Sequence, residues 1–215
     1  MNNYLNVTYL KDLKNGLSDD SALIIRHGDR QSCDNVDERY LRLTSKGVEK
    51  SKQLGIMLSK GPLPGIVASP RLRCIETGRF IMEGLGRETT LCNSNLLGEH
   101  GPFVFDSTLA GESFSTLGLE EVVRNQMLDK VYPGVRPLHE GSWKLLRHAY
   151  ETVKEDGATI MISHDAILMP FIAYFTGYCF DADLDWLSPL DGVVVRFEDG
   201  RAEFSFGRIR SAVDI

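Results

Sequence analysis

Short apolar runs alternate along this chain with longer stretches of helical period, and this alternation is the strongest constraint on its fold. The runs at residues 22–25, 65–68 and 158–162 have the length and composition of strands buried on both faces. Each run is followed by a segment of helical period, as a parallel sheet covered by helices requires. We therefore predict an α/β fold: a three-layer helix–sheet–helix sandwich with a mostly parallel sheet.

The last part of the chain predicts an antiparallel addition to this sheet. Residues 193–197 and 202–206 have strand character, and Asp199-Gly200 between them is typical of a tight hairpin turn. A hairpin at the edge of the sheet would make the sheet mixed.

Start signals accompany the predicted helices. Thr44 is expected to cap a helix that runs to about residue 60, and Pro70 to lie in the first turn of the next helix. Two later helices are predicted over about residues 142–155 and 166–175.

The segment between these helices is irregular. Residues 93–138 contain several glycines and prolines and predict one helix, after Ser113. Because no linker divides the chain, we expect a single domain over residues 1–215 with a small flap insertion at about 93–138.

Composition and charge limit the partners. The 215 residues are 42% hydrophobic and 25% charged, with a formal net charge of -6, which argues against nucleic acid or an anionic membrane as partner. The charge is uneven, because residues 1–80 carry 13 basic and 9 acidic side chains and residues 81–215 carry 11 and 21.

No signal peptide and no apolar run of about 18 residues is visible, so we expect a cytoplasmic location. The four cysteines form no CxxC pair and predict no zinc site.

Reactive and charged residues follow the predicted parallel strands, where ligands bind in such folds. Arg26-His27-Gly28 follows the first strand, and Arg30 is two residues further on. We expect the two arginines to clamp phosphate oxygens and to keep His27 neutral, with a ring nitrogen able to attack. Gly28 is expected to let the backbone approach a ligand closely.

Two further strand ends add to this group. Ser69 begins a segment that opens a helix, whose N-terminus favours an anion, and Arg73 adds a positive charge. His164 and Asp165 follow the strand at 158–162. We predict that two histidines, three arginines and one acid converge on a cleft sized for one phosphate.

Several short motifs stand at these strand ends and between them. In chain order they are Arg26-His27-Gly28; Leu43-Thr44 with Gly47; Ser69-Pro70 with Arg73 and Thr77; Glu99; Gly111-Glu112-Ser113; and Ser163-His164. Their types and order, from residue 22 to about residue 177, resemble the histidine phosphatase superfamily, which includes phosphoglycerate mutases and acid phosphatases.

The resemblance implies roles for the matching residues. His27 would be the nucleophile and form a phosphohistidine, while Arg26, Arg73 and His164 would hold the phosphoryl oxygens. Glu99 would protonate the leaving group and then activate water. The reaction would need no metal or other cofactor, because guanidinium and imidazole groups supply the positive charge.

The sequence mixes features of two branches of the family. Arg30 and Asp165 resemble the acid-phosphatase branch, in which that aspartate is the proton donor, although Ser32 replaces the usual proline. The small size and the Gly111-Glu112-Ser113 segment resemble the mutase-like branch, in which a glutamate of the flap is the donor. The resemblance therefore leaves Glu99, which we favour, and Asp165 as alternative donors.

The predicted function is hydrolysis of a phosphomonoester on a small phosphorylated substrate. A phosphoglycerate-type mutase and a non-catalytic protein that binds a phosphorylated ligand remain alternatives. Arg30, Asp165, Ser69, Cys33 and His100 are predicted to contact the substrate or border its pocket. Phe103, Phe105 and Phe114 raise the hypothesis of a substrate with an aromatic or aliphatic part. The sequence predicts neither the identity of the substrate nor the oligomeric state.

Overall fold

The computed structural model describes residues 7, 9, 13, 16–32, 37–98, 101–180 and 186–215. Within these residues, the strands are β1 (Ser21–Arg26), β2 (Gly65–Ala68), β3 (Leu91–Asn93), β4 (Thr159–Ser163), β5 (Gly192–Glu198), β6 (Arg201–Phe206) and β7 (Ile209–Asp214). The helices are α1 (Ser45–Leu58), α2 (Leu72–Leu85), α3 (Ser107–Leu117), α4 (Leu119–Met127), α5 (Leu138–Asp156) and α6 (Asp165–Thr176).

The strands form one mixed sheet in the order β3-β2-β4-β1-β5-β6-β7. The first four strands are parallel to one another, and β5, β6 and β7 continue the sheet with antiparallel pairing. The predicted hairpin is present, but its expected position at the edge is wrong, because β7 covers β6. The sequence of β7 gave no strong signal, since its side chains are only half-buried or exposed.

Alternate side chains of the central strands pack against helices on opposite faces of the sheet. Ile24 and Met161 belong to a core with α5 and α6, whereas Ile25 and Ile162 belong to a core with α1 and α2. The helix–sheet–helix sandwich is therefore confirmed, and the buried apolar runs that predicted it are its middle layer.

The two helices next to the predicted site begin differently. Thr44 caps α1 as predicted, its Oγ1 accepting a hydrogen bond of 3.0 Å from the Gly47 amide. The predicted position of Pro70 in the first turn of α2 is wrong. Arg71 is the N-cap and has an extended backbone (φ -70°, ψ 136°), so Pro70 lies before the helix.

Backbone atoms of α1 and α2 come into direct contact through two glycines. A Cβ atom at Gly55 would lie 2.1 Å from the Ile81 carbonyl oxygen, and one at Gly84 would lie 2.0 Å from that of Lys52. Any side chain at either position would force the helices apart, so the close pairing of α1 and α2 depends on both glycines.

The flap region contains two helices, α3 and α4, where the sequence predicted only one. Asp106 caps α3 through hydrogen bonds from the Thr108 and Leu109 amides, and Gly118 (φ 85°) separates the helices. Ala110, Val122 and Val135 form a small hydrophobic core between them that is distinct from the two main cores. α4 also contacts α6, which places the flap helices beside the carboxyl ends of the strands.

Candidate active site

A cleft of about 810 Å³ opens at the carboxyl ends of β1, β2 and β4. Of the predicted site residues, those that line it are Arg26, His27, Arg30, Arg73, His164 and Asp165. Ser69 is fully buried beside them, and its Oγ lies at hydrogen-bond distance, 2.9 Å, from Nε2 of His164. Cys33, Glu99 and His100 lie outside the described residues.

Two hydrogen bonds define the protonation state of His27. Its Nδ1 lies 2.8 Å from the Gly28 carbonyl oxygen, which can only accept, so Nδ1 carries the proton. Its Nε2 lies 3.1 Å from Nε of Arg73, which can only donate, so Nε2 holds a lone pair. The ring is therefore a neutral imidazole whose basic nitrogen lies beside a guanidinium.

Burial is the main reason that His27 stays neutral. His27 is only 3% exposed, and its pKa is lowered from 6.5 to about 3. Desolvation is the largest cause, the hydrogen bond to the Gly28 carbonyl opposes it, and Arg73, Arg26 and Arg30 lower the pKa by smaller amounts. The expectation that neighbouring arginines keep the ring neutral has the right direction, but the exclusion of water contributes more.

Arg73 connects the two histidines. Besides Nε to His27, its Nη1 donates to the Glu38 carbonyl oxygen at 2.7 Å and its Nη2 donates to Nδ1 of His164 at 3.3 Å. These bonds use three of the five guanidinium N–H groups, so two remain for the oxygens of a ligand. The Glu38 carbonyl gave no sequence signal, because every residue carries one.

His164 is held by Arg73 and Ser69. Since its Nδ1 accepts from Arg73, its Nε2 carries the proton and donates to Oγ of Ser69. Burial lowers the pKa of His164 well below 6.5, and Arg73 lowers it further. In this arrangement the N–H of His164 is directed at Ser69, so donation to a phosphoryl oxygen would require the ring to exchange partners.

Arg26 and Asp165 form an ion pair in the same cleft as His27. Nη2 of Arg26 lies 2.7 Å from Oδ2 of Asp165, and both side chains are about one-fifth exposed, at 18% and 19%. Nη1 of Arg26 donates to the Leu187 carbonyl, while its Nε is buried without a hydrogen-bond partner among the described residues. Oδ1 of Asp165 accepts from the Ala166 amide at 2.8 Å, so both carboxylate oxygens have donors.

Gly28 allows the loop that carries His27 to pack closely on α1. A Cβ atom there would lie 3.1 Å from Oγ of Ser51 and 3.3 Å from the Gly47 carbonyl oxygen. Its amide donates to Oγ1 of Thr77 at 3.0 Å, which joins the loop to α2. The loop that carries His27 is thereby attached to both helices.

The comparison with known families agrees with this geometry. The model of the histidine phosphatase superfamily (branch 1) matches residues 22–96, a segment that includes His27 and Arg73. The predicted resemblance to the histidine phosphatase superfamily is confirmed. No curated protein matches the sequence.

Solved structures share the histidine phosphatase fold at low sequence identity. The native structure of mycobacterial glucosyl-3-phosphoglycerate phosphatase superposes with a TM-score of 0.54 at 13% identity, covering 85% of this chain and 90% of that one. Phosphoglycerate mutase from Bacillus anthracis gives 0.52 at 16% identity, covering 95% of both chains. In the part of the chain that the structure describes, no helix is long and apolar enough to cross a bilayer.

Proposed function

We propose that this chain is a metal-independent phosphomonoesterase that acts through a phosphohistidine at His27. The observation that carries the proposal is the hydrogen bond from Arg73 to Nε2 of His27, because it requires a lone pair on the nitrogen that would attack. Arg26, Arg30 and Arg71 line the same end of the cleft and supply charge for a phosphate dianion.

Binding of the substrate would expose the nucleophile. As the phosphoryl group enters, Nε of Arg73 exchanges His27 for a phosphoryl oxygen, which releases the Nε2 lone pair beside the phosphorus atom. The N–P bond then forms as the ester P–O bond breaks, and the leaving oxygen takes a proton. The Gly28 carbonyl, which already accepts from Nδ1–H, stabilises the positive charge that develops on the ring. Water then gives a proton to the carboxylate that protonated the leaving group and attacks phosphorus, the N–P bond breaks and phosphate leaves.

The proton donor is proposed to be Glu99. The alternative, Asp165, is engaged through both oxygens with Arg26 and the Ala166 amide, so it would have to give up a charged partner before it could carry a proton. Asp165 instead supports the orientation of the Arg26 guanidinium.

Trapping of the phosphoenzyme tests the nucleophile. The protein is mixed with p-nitrophenyl phosphate in the presence of EDTA, quenched in base and measured as an intact mass. We expect one added phosphoryl group that is stable in base and lost in acid, absent in His27→Gln and retained in the exposed-histidine control His139→Gln. Phosphate release without a phosphoenzyme in rapid-quench experiments would refute the covalent route. Binding of phosphate without any turnover across a panel of phosphomonoesters would favour the non-catalytic alternative.

Two substrates distinguish the proton donors. Glu99→Gln and Asp165→Asn are compared on p-nitrophenyl phosphate, whose leaving group needs little protonation, and on an alkyl phosphate, whose leaving group needs it. Loss of the donor should reduce kcat/KM on the alkyl ester by about 10²-fold or more beyond its effect on the aryl ester. A larger selective loss in Asp165→Asn than in Glu99→Gln would contradict our assignment.

Isomerisation of 3-phosphoglycerate faster than its hydrolysis would favour the mutase alternative.

A further inference from the structure

The cleft extends well beyond the arginines, along a wall supplied largely by the flap helices. At about 810 Å³ it is far larger than one phosphate needs and lies within the range of sites for small organic molecules. The apolar lining residues that α3 and α4 contribute are Phe114, Leu117, Leu119, Val122 and Val123.

Part of this wall exposes large apolar side chains to water. Leu117 and Leu119 flank Gly118 at the junction of α3 and α4 and are 45% and 47% exposed, although both line the cleft. Phe105, in contrast, is 57% exposed and does not line it. A ligand that removes apolar surface at the mouth of a site from water lowers the free energy of the complex, so such surface favours binding of an apolar group.

The same wall offers little to a second anionic group. Among the lining residues that the structure describes, Arg124 is the one basic side chain contributed by α3 and α4. Glu120 and Glu121 lie on α4 next to it, so this wall is not a cationic surface. The basic lining residues are otherwise Arg26, Arg30, Arg71 and Arg73, at the phosphate end.

We propose that the substrate is a phosphomonoester of an apolar alcohol, whose alkyl or aryl group lies against the flap wall while its phosphate meets His27. This inference rests on the proposed phosphatase function and specifies its substrate class. The leucine and phenylalanine side chains of this wall offer no hydrogen bonds to the hydroxyl groups of a sugar phosphate, and Glu120 and Glu121 oppose a second anionic group, so a sugar phosphate or a bisphosphate would lose hydration there.

A homologous series of substrates tests the class. Ethyl, butyl and hexyl phosphate have leaving groups of nearly equal basicity, so differences in kcat/KM report binding of the chain and not the ease of P–O cleavage. Burial of each methylene is worth up to about fourfold, so hexyl phosphate should exceed ethyl phosphate by about 16- to 250-fold. Glycerol 3-phosphate and 3-phosphoglycerate should be hydrolysed no faster than ethyl phosphate.

Variants at the mouth of the cleft connect this preference to the flap. Leu117→Asn and Leu119→Asn change exposed positions, so the fold tolerates them, and each should lower the hexyl-to-ethyl ratio of kcat/KM by about fivefold. Leu109→Asn is the matched control: it lies on α3 and is 40% exposed but does not line the cleft, so the ratio should stay at the wild-type value.

The outcomes separate the two proposals. Equal kcat/KM for ethyl and hexyl phosphate, or a higher value for 3-phosphoglycerate, would overturn the apolar substrate class while leaving a working phosphatase. A chain-length effect that persists unchanged in both leucine variants would also overturn it. If no ester is hydrolysed and His27 takes up no phosphoryl group, the phosphatase function fails and the substrate class fails with it.

Discussion

Acidification should destabilise this protein through His27 in a way that can be calculated. The folded-state pKa is about 3, against about 6.5 for an imidazole in the unfolded chain. Between these values the unfolded state binds more protons than the folded state, so the free energy of unfolding falls as the pH falls below about 6.5. At pH 8 the imidazole is neutral in both states and makes no such contribution.

The magnitude follows from the two pKa values. On going from pH 8 to pH 5, proton uptake by the unfolded imidazole stabilises the unfolded chain by about 2 kcal/mol relative to the folded one. This is a substantial share of a typical stability of about 5–15 kcal/mol. His164, whose pKa is also lowered by burial, adds to the loss in the same direction.

Comparison of the wild type with a variant isolates the contribution of His27 to this loss in the free energy of unfolding. Urea unfolding is followed at pH 8 and pH 5, in phosphate-free buffer, for the wild type and for His27→Gln, whose amide cannot titrate. The wild type should lose about 2 kcal/mol more than the variant between the two pH values. In the control His139→Gln, where the ring is exposed to water, the loss should match the wild type. Equal losses in the wild type and His27→Gln would refute the conclusion that His27 is buried as a neutral ring.

Further predictions concern packing and thiol reactivity. Gly47→Ala should lower the free energy of unfolding by about 1–3 kcal/mol in urea titrations, because its Cβ would lie 2.3 Å from the Asp29 carbonyl oxygen. Gly111→Ala, in open space on α3, should raise it by about 0.5–1 kcal/mol, and a loss would contradict the helix assignment. Burial raises the pKa of Cys74 to about 12, so iodoacetamide at pH 8 should leave the Cys74 peptide unlabelled in the native protein and label exposed Cys92.

The central fold was predictable because its signals are local. The apolar runs of β1, β2 and β4 are buried on both faces, so burial on either side favours the same residue types. The strand β7 and the division of the flap into α3 and α4 were missed. Their formation depends on tertiary packing, of β7 against β6 and of Val122 and Val135 with Ala110, which periodicity within a short window does not reveal.

The members of the site were predictable, but their mutual contacts were not. Because His27, Arg73 and His164 follow the ends of parallel strands, the sequence predicted that they share one cleft. It gives no indication that Arg73 donates hydrogen bonds to both rings. Nor does it indicate the carbonyl oxygens of Glu38 and Leu187, which hold the two arginines. Such backbone partners are available at every residue and are selected only by the path of the chain.

The glycine contact between α1 and α2 has a consequence for how this scaffold could change during evolution. Because backbone meets backbone at Gly55 and Gly84, no side chain can be introduced at either position without moving the two helices apart. The position of Arg73 on α2 relative to the His27 loop is therefore preserved together with the pairing of α1 and α2. The flap helices pack around a separate cluster of three buried residues, so substitutions there can accumulate without disturbing the arginines. A new specificity would therefore arise first in α3 and α4, with the chemistry of the opposite wall preserved.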